Sequence, residues 1–528
     1  MTTPSPPNIE HQNSAHGNMY QSQQPTKNYG PFQWIPLEIF QRITDQLDTQ
    51  SLCSLRLVSQ SLERSLHSAF VAEYFTRKQF MLSKTSLQAL IDISKSRLGP
   101  SMHHLLIGLE KIRGQWNRKA LWNEPDNFNV SKARKDIYKT LQEEDTLWWN
   151  SESPHQMLVE ALQNLPNLNT IVIRDHNSRS RWRDTNRDET SISPAPEWRS
   201  YGYRAIIEQA SMDLTHEWQD SRSPDGLNYC SEVFVAMLRA ITDADAKPKG
   251  IELLCNRNAF VSHSAFRDPI LNQARLAPML ESLQRLHLTI DTLPLTDDSD
   301  ETTIASNIAL RDFFSKCKNL KDFRLNYRAS LRYTLALGHE KIADDSFARW
   351  LASCDSTTLP KLDTLSIGKA RITVEGLLGI ISCFAESLKS LELWKVSLAT
   401  SETSPQQTDD AENPVLWSKV LKGLLRMPHL QGLRHIKLGM LQQMPVQSTR
   451  RLRLDVHVGF TDRNGVSEYT GSDWRHAVED FRAKLEVAAA DEVASDSGSQ
   501  HSSDNETDDP TEDDASDDDE EDESEDVI

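Results

Sequence analysis

A six-residue pattern of apolar and polar positions recurs along the central part of the chain. It reads Leu-x-x-φ-x-φ, where φ is apolar, and its alternation after the fourth position predicts a short strand with one buried face. Stretches with apolar residues at helical spacing precede these copies, as TVEGLLGIISCFAES does before Leu388. The clear copies are LQRLHL (283–288), LKDFRL (320–325), LDTLSI (362–367), LKSLEL (388–393) and LRHIKL (433–438), and weaker ones are MHHLLI (102–107), LNTIVI (168–173) and PKGIEL (248–253).

Helices that alternate with strands predict an α/β fold, and the repetition favours a solenoid with a parallel sheet on its inner curve. Most copies begin further apart than the roughly 20–29 residues typical of leucine-rich repeats, and only the step from 362 to 388 fits. We therefore predict an irregular, leucine-rich-repeat-like α/β solenoid over residues 81–490, with insertions. An ordinary α/β domain with parallel strands is the alternative.

The residues between the apolar positions of these strands should point away from the core, because side chains alternate along a strand. Arginine and aromatic residues are favoured at the centres of protein interfaces, although a solvated strand face has a similar composition. The outward face is thus a candidate protein-binding surface. Its candidate binding residues are Arg285, His287, Arg324, Glu392, Trp394 and Lys437, and the other outward positions are Thr289, Asp322, Asn326, Thr364, Ser366, Gly368, Ser390, His435 and Gly439.

Residues 31–80 hold a separate, leucine-rich segment that predicts three short helices. Pro36 suits the first turn of a helix, and Ser59 suits the N-cap of the third helix. About 40 residues lie at the lower limit for independent folding, so the rest of the chain or a partner should cover part of this apolar surface. The apolar positions are Ile39, Phe40, Ile43 and Leu47, then Leu52, Leu55 and Val58, then Leu62, Leu66 and Phe70.

The order of residues in this segment resembles the F-box motif. That motif has an apolar-Pro-x-Glu start, then Ile or Leu at helical steps, then Leu-x-x-Leu-x-x-Val followed by Ser or Cys and a basic residue. The segment departs from it at Ser51, Gln60 and Leu62, where the family often has Asp, a basic residue and an aromatic one. The matching residues are Ile35, Pro36, Leu37 and Glu38, then Ile39, Ile43 and Leu47, then Leu52, Leu55, Val58 and Ser59.

The stretch from Tyr74 to Glu110 also resembles the segment that follows the F-box in a large group of fungal F-box proteins. Members of the family hold a Skp-type adaptor, which links them to a cullin–RING ubiquitin ligase, while a C-terminal domain binds the protein substrate. The resemblance implies that the outward strand residues bind a substrate. The implied adaptor-binding residues are Ile35, Pro36, Leu37, Ile39, Ile43, Leu47, Leu52, Leu55 and Val58. An F-box scaffold outside a ligase, or a repeat-based interaction module, remains the alternative.

Charge is concentrated at the C-terminus, where residues 491–528 contain 19 Asp or Glu and no Lys or Arg. Residues 1–490 contain 58 acidic and 58 basic residues, so bulk charge does not favour nucleic-acid binding by the body. Polar composition predicts that residues 1–30 and the acidic tail are disordered. The insertion that follows LNTIVI (168–173) is either a solvated loop or a contact for phosphate or an acidic peptide. It carries Arg174, Arg179, Arg181, Arg183 and Arg187.

No sequence motif of a nucleotide-binding loop, a zinc protease or a serine hydrolase is present, and no CxxC pair occurs. We therefore expect no enzymatic activity, catalytic residue, metal or cofactor. The N-terminus has no apolar signal-peptide region, and no apolar run is long enough to span a membrane. A soluble protein of the cytoplasm or nucleus is expected, with buried thiols at Cys53, Cys230, Cys255, Cys317, Cys354 and Cys383.

Overall fold

The structure is a computed structural model, and its described residues form two compact units. One unit comprises residues 36–76, and the other comprises the described residues from 77 onwards. The predicted disordered segments 1–30 and 491–528 lie outside the described residues. These are 36–110, 128–176, 200–210, 224–255, 259–269, 274–292, 301–329, 358–399, 415–443, 456–461 and 466–487.

The first unit consists of the three predicted helices, α1 (Leu37–Thr44), α2 (Thr49–Val58) and α3 (Gln60–Tyr74). Helix α2 is capped by Asp48, whose side chain accepts a hydrogen bond from the backbone N–H of Ser51 at 2.6 Å. The same hydrogen bond lowers the pKa of Asp48. Ser59 caps α3 as predicted, by accepting from the backbone N–H of Leu62 at 3.2 Å. The buried core of the unit contains Phe40, Leu52, Leu62, Leu66 and Tyr74.

The second unit is an α/β fold whose larger sheet contains a strand at all eight predicted positions. Its parallel strands follow one another in chain order, and an antiparallel strand, β15, completes it beside β12. The sheet is mixed because β15 is antiparallel to its neighbour. It is open because, among the described strands, the edge strands β1 and β15 do not pair with each other. The parallel strands are β1 (Arg77–Met81), β2 (His104–Gly108), β3 (Thr170–Arg174), β4 (Gly250–Leu254), β5 (Val261–Ser262, paired with β6), β6 (Arg285–Thr292), β7 (Asp322–Ala329), β8 (Thr364–Gly368), β10 (Ser390–Trp394) and β12 (His435–Gly439), and β15 is Val466–Thr470.

A smaller second sheet, which the sequence did not predict, follows the last three parallel strands. Its parallel strands β9, β11 and β13 begin just after turns at Lys369, Lys395 and Met440, respectively. The backbone dihedral angle φ of these three turn residues is positive, at 54°, 52° and 50°. The backbone N–H groups of Lys369 and Lys395 donate to Trp394 O at 2.9 Å and to Gly439 O at 3.0 Å. These bonds join each turn to the next strand. The sheet contains β9 (Arg371–Thr373), β11 (Ser397–Ala399), β13 (Leu441–Gln443), β14 (Val456–Phe460) and β16 (Leu485–Val487).

Helices pack against one face of the larger sheet and form a continuous apolar core with it. Leu286, Leu288 and Ile290 of β6 are fully buried in that core, as the alternating pattern predicts. Helices α4, α6, α8, α9, α10, α11, α12 and α13 also contribute buried residues to it. The helices of this unit are α4 (Lys84–Ser94), α5 (Phe128–Trp149), α6 (Ser153–Gln163), α7 (Tyr203–Ala210), α8 (Pro224–Asp243), α9 (Ala277–Ser282), α10 (Glu301–Ser315), α11 (Val374–Phe384), α12 (Leu416–Arg426) and α13 (Trp474–Ala483).

Strand β1 places the boundary between the units four residues earlier than the predicted end of the F-box segment at residue 80. Its residues pair with β2 in parallel register, from Arg77 with His104 to Met81 with Gly108. Phe80 is buried in the core of the α/β unit. One short strand directly after a helix gives too weak a pattern for the sequence alone to separate it from the helical segment.

A buried polar cluster fixes the carboxyl ends of β1 to β3. Arg174 Nε donates to Gln79 Oε1 at 2.8 Å, Gln79 Nε2 donates to Ser200 Oγ at 2.8 Å, and that hydroxyl donates to Glu110 at 2.7 Å. Burial raises the pKa of Glu110, against the opposing hydrogen bond from Ser200 and the charge of Arg174. Arg174 is therefore an interior residue and not the solvated contact proposed from sequence.

The other arginines of that candidate contact, Arg179, Arg181, Arg183 and Arg187, lie outside the described residues. Whether they bind phosphate or an acidic peptide stays a prediction.

We predict that Gly108→Ala destabilises the α/β unit by about 1–3 kcal/mol, because the added methyl meets the side chains of Glu110, Ser200 and Gln79. Gly459→Ala is the matched control, since no atom lies within 4 Å of a Cβ there. Chemical unfolding curves of the two variants and the wild type measure the difference. Equal stability of the two variants would contradict the packing described for the cluster.

Candidate functional site

The outward residues of the larger sheet lie in three rows, because the strand register is continuous from β6 to β15 and the first two rows extend to β4. We call these rows together the polar face. The first row contains Gly250, Arg285, Asp322, Thr364, Ser390, His435 and Thr470; the middle row contains Glu252, His287, Arg324, Ser366, Glu392, Lys437 and Glu468; the third contains Thr289, Asn326, Gly368, Trp394, Gly439 and Val466. All six candidate residues of this face are therefore brought together in adjacent rows.

The charged residues at the β4 end of the polar face are paired with one another. Arg285 lies between two carboxylates, with Nη1 at 3.4 Å from Glu252 and Nε at 3.0 Å from Asp322. His287 Nε2 lies 3.3 Å from the same carboxylate of Asp322. Burial lowers the pKa of Arg285, but the charges of Glu252 and Asp322 raise it above its ordinary value.

The same kind of pairing occurs at the β15 end. Arg324 Nη2 lies 3.4 Å from Glu392, across the strand β8 that separates them. Lys437 Nζ lies 3.6 Å from Glu468, and His435 Nε2 lies 3.0 Å from the same carboxylate. Side chains on neighbouring strands of one face are close enough for such contacts, so the rows hold each other in place.

These contacts keep two carboxylates of the polar face ionised. Burial raises the pKa of Asp322, but the hydrogen bond and charge of His287, together with Arg285, outweigh it and lower the pKa. The hydrogen bond from His435 lowers the pKa of Glu468, against a smaller opposing effect of burial, and Lys437 lowers it further. The face therefore retains these negative charges well into the acidic range.

Several outward positions are enclosed, although the alternation alone predicts them to be accessible. Thr289 is buried and donates its hydroxyl to Leu253 O at 3.1 Å. Gly368 is covered by the side chain of Asn326, and Gly439 is covered by the six-membered ring of Trp394. His287, Ser366 and Lys437 are also buried. Neighbouring side chains cover these positions because the strands hold them side by side.

The middle row of the polar face becomes apolar beyond β4, because Leu106 of β2 and Val172 of β3 occupy its register positions. Leu106, Val172 and Leu254 form a separate buried cluster on this side of the sheet. The repeat pattern does not predict this cluster. The outward leucine and valine of LLIG and IVIR could have been noticed as breaks in the alternation.

Among the side chains of residues 36–76 that the structure describes, four large apolar ones are exposed, and we call them the exposed apolar set. They are Ile39 and Ile43 on α1 and Leu57 and Val58 at the end of α2. Leu57, with 87% of its surface exposed, was not among the predicted adaptor-binding residues. Exposed apolar side chains that lie together are typical of a surface that binds another molecule, and Ile39 and Ile43, one turn apart on α1, meet that condition.

Three predicted adaptor-binding residues lie in or against the core of the unit, and their adaptor contact stays a prediction. Leu52 is only 4% exposed and belongs to the core of the unit, and Leu55 is half-buried against that core. Leu47 is also packed against it, beyond the end of α1. Pro36 is exposed. Ile35 and the side chain of Leu37 lie outside the described residues, so their predicted adaptor contact stays a prediction.

Cys230, Cys255 and Cys317 are buried as predicted, whereas Cys53 and Cys383 are only half-buried. Burial raises the pKa of Cys317 to about 12, and a hydrogen bond with Cys230 raises that of Cys255, so both thiols stay protonated. Cys354 lies outside the described residues. Within the part of the chain that the structure describes, no cluster of three His, Cys, Asp or Glu residues is arranged to hold a metal ion. No described helix has the length and apolar character needed to cross a membrane.

The chain matches no protein-family model, and no curated protein sequence matches it.

We predict that Leu52→Ala lowers the stability of the three-helix unit by about 2–5 kcal/mol, because it leaves a cavity in a small core. Leu57→Ala removes the same atoms from an exposed position and should change the stability by no more than about 0.5 kcal/mol. Hydrogen exchange of the α1–α3 amides reports on this unit alone. Similar exchange rates in the two variants would contradict the assignment of Leu52 to the core.

We also predict that Asp322 makes the stability of the α/β unit depend on pH. Its pKa is lowered in the folded state, so its stabilising contribution is present above the ordinary pKa of an aspartate and is lost as the pH falls through the folded value. The difference in melting temperature between the wild type and Asp322→Asn should therefore shrink as the pH is lowered from 7 to 3.

The control is Asp312→Asn, which makes the same Asp-to-Asn change at an exposed position on α10. A difference between the wild type and Asp322→Asn that stays constant over this pH range would contradict the role of the carboxylate.

Proposed function

We propose that this protein is the substrate-recognition subunit of a Skp–cullin–F-box ubiquitin ligase. In this proposal the three-helix unit binds a Skp-type adaptor, and the adaptor links the chain to a cullin–RING ligase. The polar face of the α/β unit binds the protein substrate, and the chain itself catalyses no reaction.

The observation that carries the proposal is the exposed apolar set on helices whose residue order resembles the F-box. Ile39 and Ile43 are one turn apart on α1, and this spacing places them on the same side of the helix. The unit already has a core of its own, so these side chains are not needed to fold it. A partner that covers them would remove a large apolar area from water, which favours association.

The α/β unit supports the second half of the proposal. Its strands follow one another in chain order, and many of its helices pack on one face of the sheet. This is the arrangement expected of a leucine-rich-repeat-like solenoid, in which the free face of the sheet binds a partner. The polar face carries arginine, histidine and tryptophan side chains in three rows, and it is the surface proposed to bind the substrate.

We predict that the double variant Ile43→Ala/Leu57→Ala loses at least tenfold in affinity for a Skp-type adaptor. Truncation of a buried interface anchor costs on the order of 2 kcal/mol, and two such losses exceed a tenfold change. Both side chains are exposed, so the three-helix unit should stay folded. Calorimetric titration of the adaptor into the full chain measures the affinity.

The matched control is Ile308→Ala, which truncates an exposed isoleucine on α10 of the α/β unit and should leave adaptor binding unchanged. Absence of adaptor binding by the wild type, or equal binding by the double variant, would refute the F-box assignment. Recovery of the adaptor without cullin from cells would instead favour the alternative, a scaffold that acts outside a ligase.

A further inference from the structure

The residues directly before the strands of the larger sheet form a ladder along the amino ends of those strands. From one strand to the next, the backbone N–H of each member donates to the carbonyl oxygen of the member before it, at 2.7–2.9 Å. The members are Lys249, Gln284, Lys321, Asp363, Lys389 and Arg434. Four of the six are cations, and all four are exposed. We call these four residues, which precede β4, β7, β10 and β12, the basic rim.

Carboxylates neutralise the basic rim only in part. Asp363 is the one carboxylate in the ladder, and it lies 3.3 Å from Lys389 Nζ. Within the described part of the chain, Lys249, Lys321 and Arg434 form no ion pair. The turns before the ladder add no excess of negative charge, because their exposed side chains include both Lys318 and Lys361 and both Glu281 and Glu386. The rim therefore presents a line of positive charge to solvent.

The length of the basic rim follows from the strand spacing. Lys249 and Arg434 are five strand steps apart in the ladder. Neighbouring strands lie about 4.8 Å apart, so the rim is about 24 Å long. An extended chain advances about 3.3 Å per residue, so about seven residues that run along the rim would cover it.

The acidic tail contains a segment of this length and of opposite charge. Residues 517–523 read DDDEEDE, which is a run of seven consecutive carboxylates. Asp517 follows Val487, the last residue of β16, by 30 residues. The polar composition of this connection predicts a disordered chain, and such a chain of that length spans about 30 Å on average. The tail is therefore long enough to bring its acidic run to the larger sheet.

We propose that the acidic run 517–523 binds the basic rim of the same chain. Each surface ion pair contributes little alone, but several act together, and the covalent connection gives the run a high effective concentration at the rim. The members of the rim directly precede the first row of the polar face, as Lys321 precedes Asp322. A bound tail would thus lie along one edge of that face. The proposal rests on the charges of the rim and holds whatever the polar face binds.

The test titrates full-length chains into a fluorescent peptide with the sequence of residues 511–528 and follows its anisotropy at about 25 mM salt, where screening is weak. In a neutral-tail variant, Asp517, Asp518, Asp519 and Asp522 are changed to Asn, and Glu520, Glu521 and Glu523 are changed to Gln. This variant should bind the peptide at least about tenfold more tightly than the wild type, because the wild-type rim is already occupied by its own tail. The difference should disappear at about 0.5 M salt.

A second pair of variants locates the binding surface. Lys321→Glu/Arg434→Glu, added to the neutral-tail variant, should weaken peptide binding at least about tenfold. Lys139→Glu/Lys419→Glu is the matched control, because it makes the same change in net charge at exposed residues of α5 and α12 outside the rim. This control should bind the peptide as tightly as the neutral-tail variant does.

Three results would overturn the proposal. They are absence of peptide binding by the neutral-tail variant at low salt, equal weakening by the rim and control substitutions, and equal binding by the wild type and the neutral-tail variant. The last result would show that the rim is open to acidic segments of other molecules and is not occupied by the tail. Melting temperatures of all variants confirm that they are folded, since every substituted rim and control residue is exposed.

Discussion

The alternation of side chains along parallel strands is the constraint on which the α/β unit depends. Leu286, Phe323, Leu365, Leu391 and Ile436 occupy one register row, and every one of them is fully buried against the helices. A register slip of one residue in any strand would carry its apolar row to the polar face and bring charged residues into the core. The burial of these rows therefore fixes the register, and the register fixes which polar residues become neighbours.

The polar face follows from that register. Arg285, Asp322 and Glu252 lie on adjacent strands and meet only because their strands are aligned. Each ion pair is partly exposed, so each contributes little to stability, and its main effect is to hold side chains in one arrangement. A surface that is ordered before binding loses less conformational entropy when a partner arrives. Trp394 gains the same benefit from Gly439, because only a residue without a side chain leaves room for the ring.

Much of the strand order could be predicted from the sequence, because each strand carries its own alternating signal. Strand β1 and the smaller sheet could not, since β1 (RKQFM) lacks the Leu-x-x-φ-x-φ pattern, and β9, β11 and β13 have three residues each, too few for a periodic pattern. The candidate site was predicted less well. Helical spacing places Leu52 and Leu57 on helix α2, but only the packing of three helices shows that Leu52 is interior and Leu57 exposed. Likewise, alternation alone predicts that Thr289 is accessible, but in the folded sheet this residue is buried.

Two adjacent residues of β8 test most directly whether alternation directs one side chain into the core and the next onto the polar face. Leu365 is fully buried in the core, whereas Thr364 lies in the first row of the polar face. The measurement is the free energy of unfolding of the α/β unit in each single variant. We expect Leu365→Ala to lower it by about 2–5 kcal/mol and Thr364→Ala to change it by no more than about 0.5 kcal/mol. Equal losses in the two variants, or a larger loss for Thr364→Ala, would contradict the account.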